Sequence, residues 1–396
     1  MSGVQGENTF EWQRQPIVLH FAEERAFAET YGFSGSGTVT LEGQLFIPAG
    51  RPSETVFVFM HPAGTLQTLP MPMALASAGL HVMCCGSRYA RNDTALIMEK
   101  VARDLAEYVR YARDSLGYRK VLLVGWSGGG SLSLFYQSQG ERPTITHTPA
   151  GDPYDLTSMN LPGADGIVFI AAHLSRAEVL TEFMDPSLLD ESNPDRRDME
   201  LDIYRRDCPN QPPYDPAFVA RFRAAQLARN RRITAWVHEM LDYLRRKADG
   251  EVERGFVVHR TMCDVRWLDV TIDPNGRKPG VTYIGEPRAA NSAPGGLARF
   301  SSLRSWLSQW SFDESRAKAT LCAPDVRAVP VLQVVNQADD AVPAPHAPAV
   351  YAALGTPNKT LVSIEGASHY YLGQPELLKQ SVATISDWAR KHRLLD

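Results

Sequence analysis

The chain has 396 residues, of which 44% are hydrophobic and 22% are charged, as in an ordinary globular protein. Its 41 basic and 45 acidic residues leave a formal net charge of -4, which argues against the positive field that attracts nucleic acid or anionic membrane. The length exceeds that of one compact core, so we expect a single main domain that carries a large insertion.

The first predicted element is a β-hairpin. Apolar and polar residues alternate over 38–48 around Glu42-Gly43, a pattern typical of two half-buried antiparallel strands joined by a turn. Short runs that are almost wholly apolar follow, as expected for strands that are buried on both faces of a parallel sheet. These runs are 55–60, 81–85, 121–125, 166–171, 331–335 and 360–364.

The segment 93–116 is predicted to be a helix that connects two of these strands. Its apolar residues recur every three or four positions, and Gly117 follows where a helix C-cap belongs. Strand, helix and strand in this order predict a right-handed parallel βαβ unit. A buried helix is predicted over 131–137 and a closing helix over 376–392.

The segment 174–328 breaks the alternation of strands and helices. It contains proline-rich and acidic loops, a long helical stretch over 216–247 and a short aromatic one over 300–310. We predict that 174–328 is a mostly helical lid or cap, inserted into a catalytic domain formed by 1–173 and 329–396. The fold class is therefore α/β, with a mostly parallel central sheet and helices on both of its faces.

A candidate nucleophile lies directly after the strand at 121–124. Residues 125–129 read Gly-Trp-Ser-Gly-Gly and fit the pattern G-x-S-x-G, with Ser127 between a strand and a helix. The glycines suit a strained turn in which other side chains would collide with the neighbouring strand and helix. The alternative is a glycine-rich turn that binds an anion, but no P-loop lysine or G-x-G-x-x-G pattern is present.

A base and an acid follow the last two predicted strands. A serine hydroxyl needs an imidazole to take its proton and a buried carboxylate to orient that imidazole. His369 follows the final strand, and Asp339 and Asp340 follow the strand before it. Both places are C-terminal strand ends, where an open α/β sheet carries its active site. We predict His369 as the base and Asp339 as the acid, with Asp340 as the alternative.

The oxyanion of the reaction needs two backbone N–H groups. One belongs to Gly128, which follows the nucleophile, and the other is expected in the loop 61–65. Pro62 has no N–H, so Ala63 is the best donor and Gly64 the reserve. The residues that we predict to contact the substrate are His61, Trp126, Trp306, Trp310 and Tyr370.

Trp306 and Trp310 are four residues apart on a predicted helix and therefore share one face. That face serves either the core of the lid or the substrate pocket, and we expect at least one of the two to line the pocket. The remaining histidines in loops or in the insertion are expected to have surface or lid roles. They are His147, His238, His259 and His346.

The motifs GWSGG, QADDAVP, GASH and HPAGT resemble, in order and spacing, those of the α/β-hydrolase superfamily. The resemblance covers 38–173 and 329–396 and implies a serine esterase-like enzyme without a cofactor. It implies the triad Ser127, Asp339 and His369, with Ala63 and Gly128 at the oxyanion. His-Pro-Ala-Gly stands where many esterases and lipases have His-Gly, which leaves the second donor open. The insertion falls where members of the superfamily commonly carry a lid.

These motifs predict a carboxylic-ester hydrolase that works through an acyl-enzyme intermediate. Hydrolysis of a carbon-carbon bond and acyl transfer use the same triad and stay open, as does a non-catalytic, ligand-binding member of the fold. The expected partner is a small-molecule ester, with no nucleic acid and no membrane, and a homodimer is left open. The size of the acyl and alcohol groups does not follow from these motifs.

Cysteine usage and the N-terminal segment suggest the cellular compartment. The five cysteines are odd in number and show no C-x-x-C spacing, so we expect reduced core residues and no metal site. The first thirty residues carry charges throughout and lack the apolar region of a signal peptide. No stretch of 18 apolar residues occurs. We therefore expect a soluble, cytoplasmic protein.

Overall fold

The structure, a computed structural model, describes residues 9–23 and 37–395. Its strands are β1 (Trp12–Ala22), β2 (Thr38–Pro48), β3 (Thr55–Met60), β4 (His81–Cys85), β5 (Lys120–Trp126), β6 (Gly166–Ile170), β7 (Gly255–Val257), β8 (Phe300–Ser302), β9 (Val331–Asn336) and β10 (Lys359–Ile364). Its α-helices are α1 (Pro70–Ser77), α2 (Met98–Arg110), α3 (Gly128–Glu141), α4 (Arg176–Phe183), α5 (Pro216–Lys247), α6 (Val265–Leu268), α7 (Pro287–Ser292), α8 (Leu303–Ser305), α9 (Ala319–Cys322), α10 (His346–Ala353) and α11 (Pro375–Lys391).

Eight of these strands form one sheet, in the order β1-β2-β4-β3-β5-β6-β9-β10. β2 is antiparallel to β1 and to β4, and every other neighbouring pair is parallel. The prediction of a mostly parallel sheet that begins antiparallel is confirmed. Because β3, β5, β6, β9 and β10 run the same way, the loops at their C-terminal ends meet along one edge.

The predicted hairpin within 38–48 is wrong. β2 continues through Glu42 and Gly43 without a turn, and its antiparallel partner is β1, with Gly43 opposite Ile17. The glycine is needed for close approach: a Cβ on Gly43 would lie 2.9 Å from the carbonyl oxygen of Cys84 and 3.0 Å from the Tyr108 ring. Glycine inside a strand often marks such an approach.

Helices cover both faces of the sheet, as predicted. Successive residues of a strand point to opposite faces, and in β3 Val56 and Phe57 belong to different core clusters. The cluster of Val56 includes Leu105 of α2 and Leu132 of α3. The cluster of Phe57 includes residues of α1 and α11, such as Ile385. Continuous apolar strands are therefore buried on both sides, which explains their lack of alternation.

Two predicted helices are shorter than expected. α2 covers only the central part of the predicted 93–116 and ends in a π-helical turn, Tyr111–Ser115. Gly117 follows with a φ of 76°, in the left-handed region where a glycine is favoured. Within 300–310, the first three residues form β8, and the helical part consists of α8 followed by a π-helical turn, Trp306–Trp310.

The segment 174–328 contains α4 to α9 and a two-stranded sheet of β7 and β8. Its longest element, α5, begins after the cap Asp215, whose side chain accepts from the Ala217 N–H, and three basic residues lie in its last turn. Apolar residues of α5, such as Val237, pack in a cluster with Trp306 and Leu307. The segment thus has its own core, and its boundaries as a separate domain stay a prediction.

All five cysteines are buried and free of disulfides, as expected.

Among the described residues, no helix combines the length and apolar character required to cross a membrane.

Candidate active site

Ser127 occupies the turn between β5 and α3, with φ 53° and ψ -120°, a conformation that is unusual for a residue with a side chain. A Cβ on Gly125 would lie 2.6 Å from the carbonyl oxygen of Gly129. A Cβ on Gly129 would lie 2.4 Å from the carbonyl oxygen of Met60. These glycines therefore allow the sharp turn, as predicted from the motif. Strained backbone of this kind is often found at functional sites.

His369 and Asp339 form a buried hydrogen-bonded pair. His369 Nδ1 lies 2.9 Å from Asp339 Oδ2, and the two residues are 2% and 4% exposed. The other carboxylate oxygen of Asp339 accepts from the N–H groups of Ala341, at 2.7 Å, and Val342, at 2.8 Å. The carboxylate is thereby held in one orientation. A carboxylate at Nδ1 assigns the ring proton to that nitrogen and leaves Nε2 as an acceptor.

Asp340 lies next to this pair but does not contact His369 by a hydrogen bond. Its backbone carbonyl accepts from Trp267 Nε1 at 3.0 Å. Burial raises the pKa of its carboxyl group, and the charge of Asp339 adds to that effect. Of the two aspartates that the sequence offered, Asp339 is the one that the fold places on the imidazole.

Ser127 and His369 open on one cavity of about 300 Å³, within the range typical of small-molecule sites. His61, Trp126, Trp310 and Tyr370, which were predicted to contact substrate, also line this cavity. Gly64 lines it as well, whereas Ala63 is not part of its wall. The loop after β3, the turn after β5 and the loop after β10 thus converge, as expected for C-terminal strand ends.

Aromatic rings surround the imidazole of His369. The Trp126 ring centroid lies 4.5 Å from that of His369, and Tyr370 meets the same imidazole edge-on at 4.9 Å. Trp126 and Tyr370 also contact each other, at 5.1 Å. These contacts limit the movement of His369 and exclude water from one side of the ring.

The structure corrects the prediction for Trp306. Its side chain is fully buried and is not part of the cavity wall. Nε1 donates to Thr234 Oγ1 at 3.0 Å, and the ring packs against Phe256. Trp306 belongs to the core cluster of 174–328 that includes Val237 of α5. Trp310 does line the cavity, in line with the expectation for at least one of the two tryptophans.

The structure also corrects the prediction that Ala63 supplies an oxyanion donor. The N–H groups of Ala63 and Gly64 donate to His61 Nδ1, at 3.2 and 2.9 Å. Both N–H groups therefore bond to the imidazole of the same loop, and these two bonds hold the loop in a tight turn. The reserve donor, Gly64, is engaged in the same way.

These two bonds also define the state of His61. A nitrogen that accepts N–H donors carries no proton, so the ring proton of neutral His61 is on Nε2. Burial, with smaller contributions from Arg176 and His369, lowers the pKa of His61 to about 3. Nε2 has no hydrogen-bond partner among the described residues, and it lies 2.8 Å from the position that a Cβ on Gly128 would occupy. His61 thus directs an N–H donor toward the start of α3.

Three polar residues of the cavity wall were missed in the sequence: His173, Arg176 and Tyr283. His173 follows β6, so the strand-end rule that found His369 could have found it. Nδ1 of His173 is buried without a hydrogen-bond partner, and burial, with added charge from His346, lowers its pKa well below the usual value. Arg176 and Tyr283 come from 174–328, where no pattern marks them.

Among the described residues, no three His, Cys, Asp or Glu side chains are arranged to hold a metal ion.

The mostly parallel sheet, its covering helices and the sharp β5–α3 turn define the α/β-hydrolase fold, as the sequence motifs predicted. The α/β-hydrolase GrgF from Penicillium sp. sh18 is similar over 96% of this chain and 99% of its own, with 11% sequence identity and a TM-score of 0.51.

Two further solved structures are similar at TM-scores below 0.5. The DcsB complex with its substrate analogue shares 15% identity over 96% of this chain and all of its own, with a TM-score of 0.49. Brefeldin A esterase, a bacterial homologue of human hormone sensitive lipase, shares 15% identity over 100% of this chain and 81% of its own, with a TM-score of 0.48. No protein-family model and no curated protein sequence matches the chain.

Proposed function

We propose that this protein is a serine hydrolase that cleaves a carboxylic ester through an acyl-enzyme intermediate. The observation that supports the proposal is that Ser127, on its strained turn, shares a cavity with His369, whose Nδ1 is hydrogen bonded to the buried carboxylate of Asp339. Ser127 is the nucleophile, His369 the general base and Asp339 the group that orients the imidazole.

The reaction follows from this arrangement. His369 Nε2 takes the proton of the Ser127 hydroxyl as the serine oxygen attacks the ester carbonyl. The same proton then passes from His369 to the leaving alcohol oxygen, and the bond between carbonyl carbon and alcohol breaks. In the second half, water attacks the carbonyl carbon of the acyl-enzyme and loses a proton to His369. The bond between that carbon and the Ser127 oxygen then breaks, His369 returns the proton to Ser127, and the carboxylic acid leaves. Asp339 stabilises the transient imidazolium through its hydrogen bond to Nδ1.

Two donors stabilise the oxyanion in this proposal. Gly128 is the first residue of α3, so its N–H has no acceptor within the helix and faces the anion at the helix N-terminus. The second donor is Nε2–H of His61 rather than a backbone N–H of the loop 61–65. A side chain can serve as such a donor when it is already oriented before the reaction.

The segment 174–328 acts as a lid in this proposal. It supplies Arg176, Tyr283 and Trp310 to the cavity wall, opposite the groups that belong to the sheet. Residues that line the wall discriminate between substrates, while the triad performs the same chemistry on each. Substrate choice is therefore expected to depend on 174–328.

Ser127→Ala tests the proposal with a panel of p-nitrophenyl esters of graded acyl length. The variant should fold normally and lose about 10⁴- to 10⁶-fold in kcat, because the nucleophile is gone. Ser138→Ala is the matched control, since Ser138 also lies in α3 and its hydroxyl donates to the Phe135 carbonyl; it should keep the wild-type rate. A fluorophosphonate should add its mass to wild type but not to Ser127→Ala. Ester turnover by Ser127→Ala above a tenth of the wild-type rate would end the proposal.

A further inference from the structure

The cavity wall carries its formal positive charge on one residue, Arg176. Among the described residues that line the cavity, no Asp or Glu is present, and the other ionisable groups are histidines and tyrosines. Asp339 lies behind His369 and is not part of this wall. A substrate therefore meets a guanidinium and several neutral donors, while the carboxylate that pairs with this guanidinium, that of Asp93, is not part of the wall.

Two hydrogen bonds fix the Arg176 side chain, but they leave some of its N–H groups without a partner. Nε donates to Gln309 Oε1 at 2.8 Å, and Nη2 donates to Asp93 Oδ2 at 2.5 Å. These bonds engage two of the five N–H groups of a guanidinium, and no further hydrogen bond from Arg176 to the described residues exists. The side chain is 7% exposed and lines the cavity, so the three remaining N–H groups are available to a ligand there.

The surroundings orient the guanidinium toward a ligand. Its centre lies 4.2 Å from the centroid of the Trp310 ring, which also lines the cavity. Asp93 and Gln309 occupy the side of Nε and Nη2, which leaves Nη1 and the end of the fork unengaged. A fork of this shape matches the two oxygens of a carboxylate. Because the arginine is already immobilised, a ligand gains the bond at little entropic cost.

We propose that the substrate of this enzyme is an ester that also carries a carboxylate, and that the carboxylate binds to Arg176 in the cavity. This inference rests on the proposed ester hydrolysis at Ser127. The substrate class is then either a monoester of a dicarboxylic acid or an ester of a carboxylated alcohol. Both offer the same chemistry to Arg176, and they differ in which side of the scissile bond bears the charge.

Two pairs of esters test the proposal and separate its two sources. The acyl pair is p-nitrophenyl hydrogen adipate and p-nitrophenyl 6-methylheptanoate, which replaces the carboxylate by an isopropyl group of similar shape. The alcohol pair is 4-acetoxybenzoate and 4-isopropylphenyl acetate. In wild type, kcat/KM should be about 10- to 100-fold higher for the charged member of one pair, as expected for a hydrogen-bonded charge.

Variants assign the preference to Arg176. Arg176→Met keeps much of the stem and should remove the preference, so that the ratio of kcat/KM within the responsive pair falls to about one. Arg176→Lys keeps the charge without the fork and should retain part of the preference. Arg231→Met is the control, because Arg231 belongs to α5 and forms an exposed ion pair with Asp313. It should leave both pairs unchanged.

Competition provides a readout that does not require a folded variant. Adipate should inhibit wild-type hydrolysis of a neutral ester competitively, and 6-methylheptanamide should inhibit far less. Equal rates within both pairs and no inhibition by adipate would overturn the proposal and leave Arg176 as a structural tie between α4 and Asp93. If no ester is hydrolysed at all, calorimetric binding of adipate to Ser127→Ala separates the two ideas: binding that Arg176→Met abolishes supports the carboxylate site alone.

Discussion

At the scale of single residues, the two ring nitrogens of His61 have different roles. Nδ1 orders the loop after β3, and Nε2 is the proposed oxyanion donor. Nδ1 closes the loop after β3 by accepting from Ala63 and Gly64, and the same bonds assign the proton to Nε2 beside Gly128. A glutamine has an oxygen acceptor and an N–H donor on one side chain, whereas phenylalanine has neither. The two tasks can therefore be tested by substitution.

We expect His61→Phe to lower kcat by about 10²- to 10³-fold with a small change in KM, as for the loss of one oxyanion donor. His61→Gln should recover a substantial part of that loss. The pH dependence of kcat/KM should keep its shape in both variants, because the pKa of His61 is lowered to about 3 and the ring stays neutral at working pH. A rise in KM at unchanged kcat would instead assign His61 to loop order alone.

At the scale of elements, the π-helical turn Trp306–Trp310 gives its two tryptophans different surroundings. Both tryptophans belong to the core cluster of 174–328, but only Trp310 also lines the cavity, beneath the guanidinium of Arg176. Trp306→Ala should therefore lower the free energy of unfolding by about 3 to 5 kcal/mol and change kcat/KM equally for small and bulky esters. Trp310→Ala should change the ratio of kcat/KM between those esters.

Thermal unfolding and kinetics on an acetate and an octanoate ester of p-nitrophenol check both variants. Trp306→Phe is the matched control, since it keeps an aromatic ring and loses the bond to Thr234. An unchanged substrate ratio in Trp310→Ala would show that other residues of the wall determine ester size.

The elements differ in how far local sequence determines them. Strands such as β3 and β5 are continuous apolar runs, because both of their faces are buried. This composition marks them clearly in the sequence, and the ends of both were predicted within two residues. Glu42-Gly43 was misassigned because glycine serves equally in a turn and at a close approach, and the contact with Tyr108 that decides between them is distant in sequence. The π-turn at Trp306 depends on packing against α5 and leaves no periodic signal.

The residues of the candidate site also differ in how far the sequence predicts them. Ser127, Asp339 and His369 could be predicted as a group because each follows a strand of a parallel sheet, which brings strand ends together whatever the loops contain. Arg176 and Tyr283 reach the cavity through the tertiary fold of 174–328, so no spacing in the sequence marks them. The sequence offered Ala63 and Gly64 as the second donor, and the proposal of His61 instead rests on two hydrogen bonds that only the conformation of the loop reveals.

At the scale of the whole molecule, two histidines of the cavity, His61 and His173, link stability to pH. Burial lowers the pKa of His61 to about 3 and that of His173 well below its usual value. In the unfolded chain both return to the ordinary value of about 6.5. Between these limits the unfolded chain binds more protons than the folded protein, so the free energy of unfolding falls as pH falls below about 6.5.

Each of the two histidines contributes a slope of at most about 1.4 kcal/mol per pH unit between pH 6 and pH 4. The double variant His61→Gln/His173→Gln should therefore lose less stability than wild type when the pH is lowered from 7 to 5, even if its stability at pH 7 is lower. Urea unfolding at half-unit pH steps measures the difference. His20→Gln, on the exposed face of β1, is the control and should follow wild type. If the double variant loses stability as steeply as wild type, protons enter the unfolded chain at other groups, and the cavity histidines do not govern acid stability.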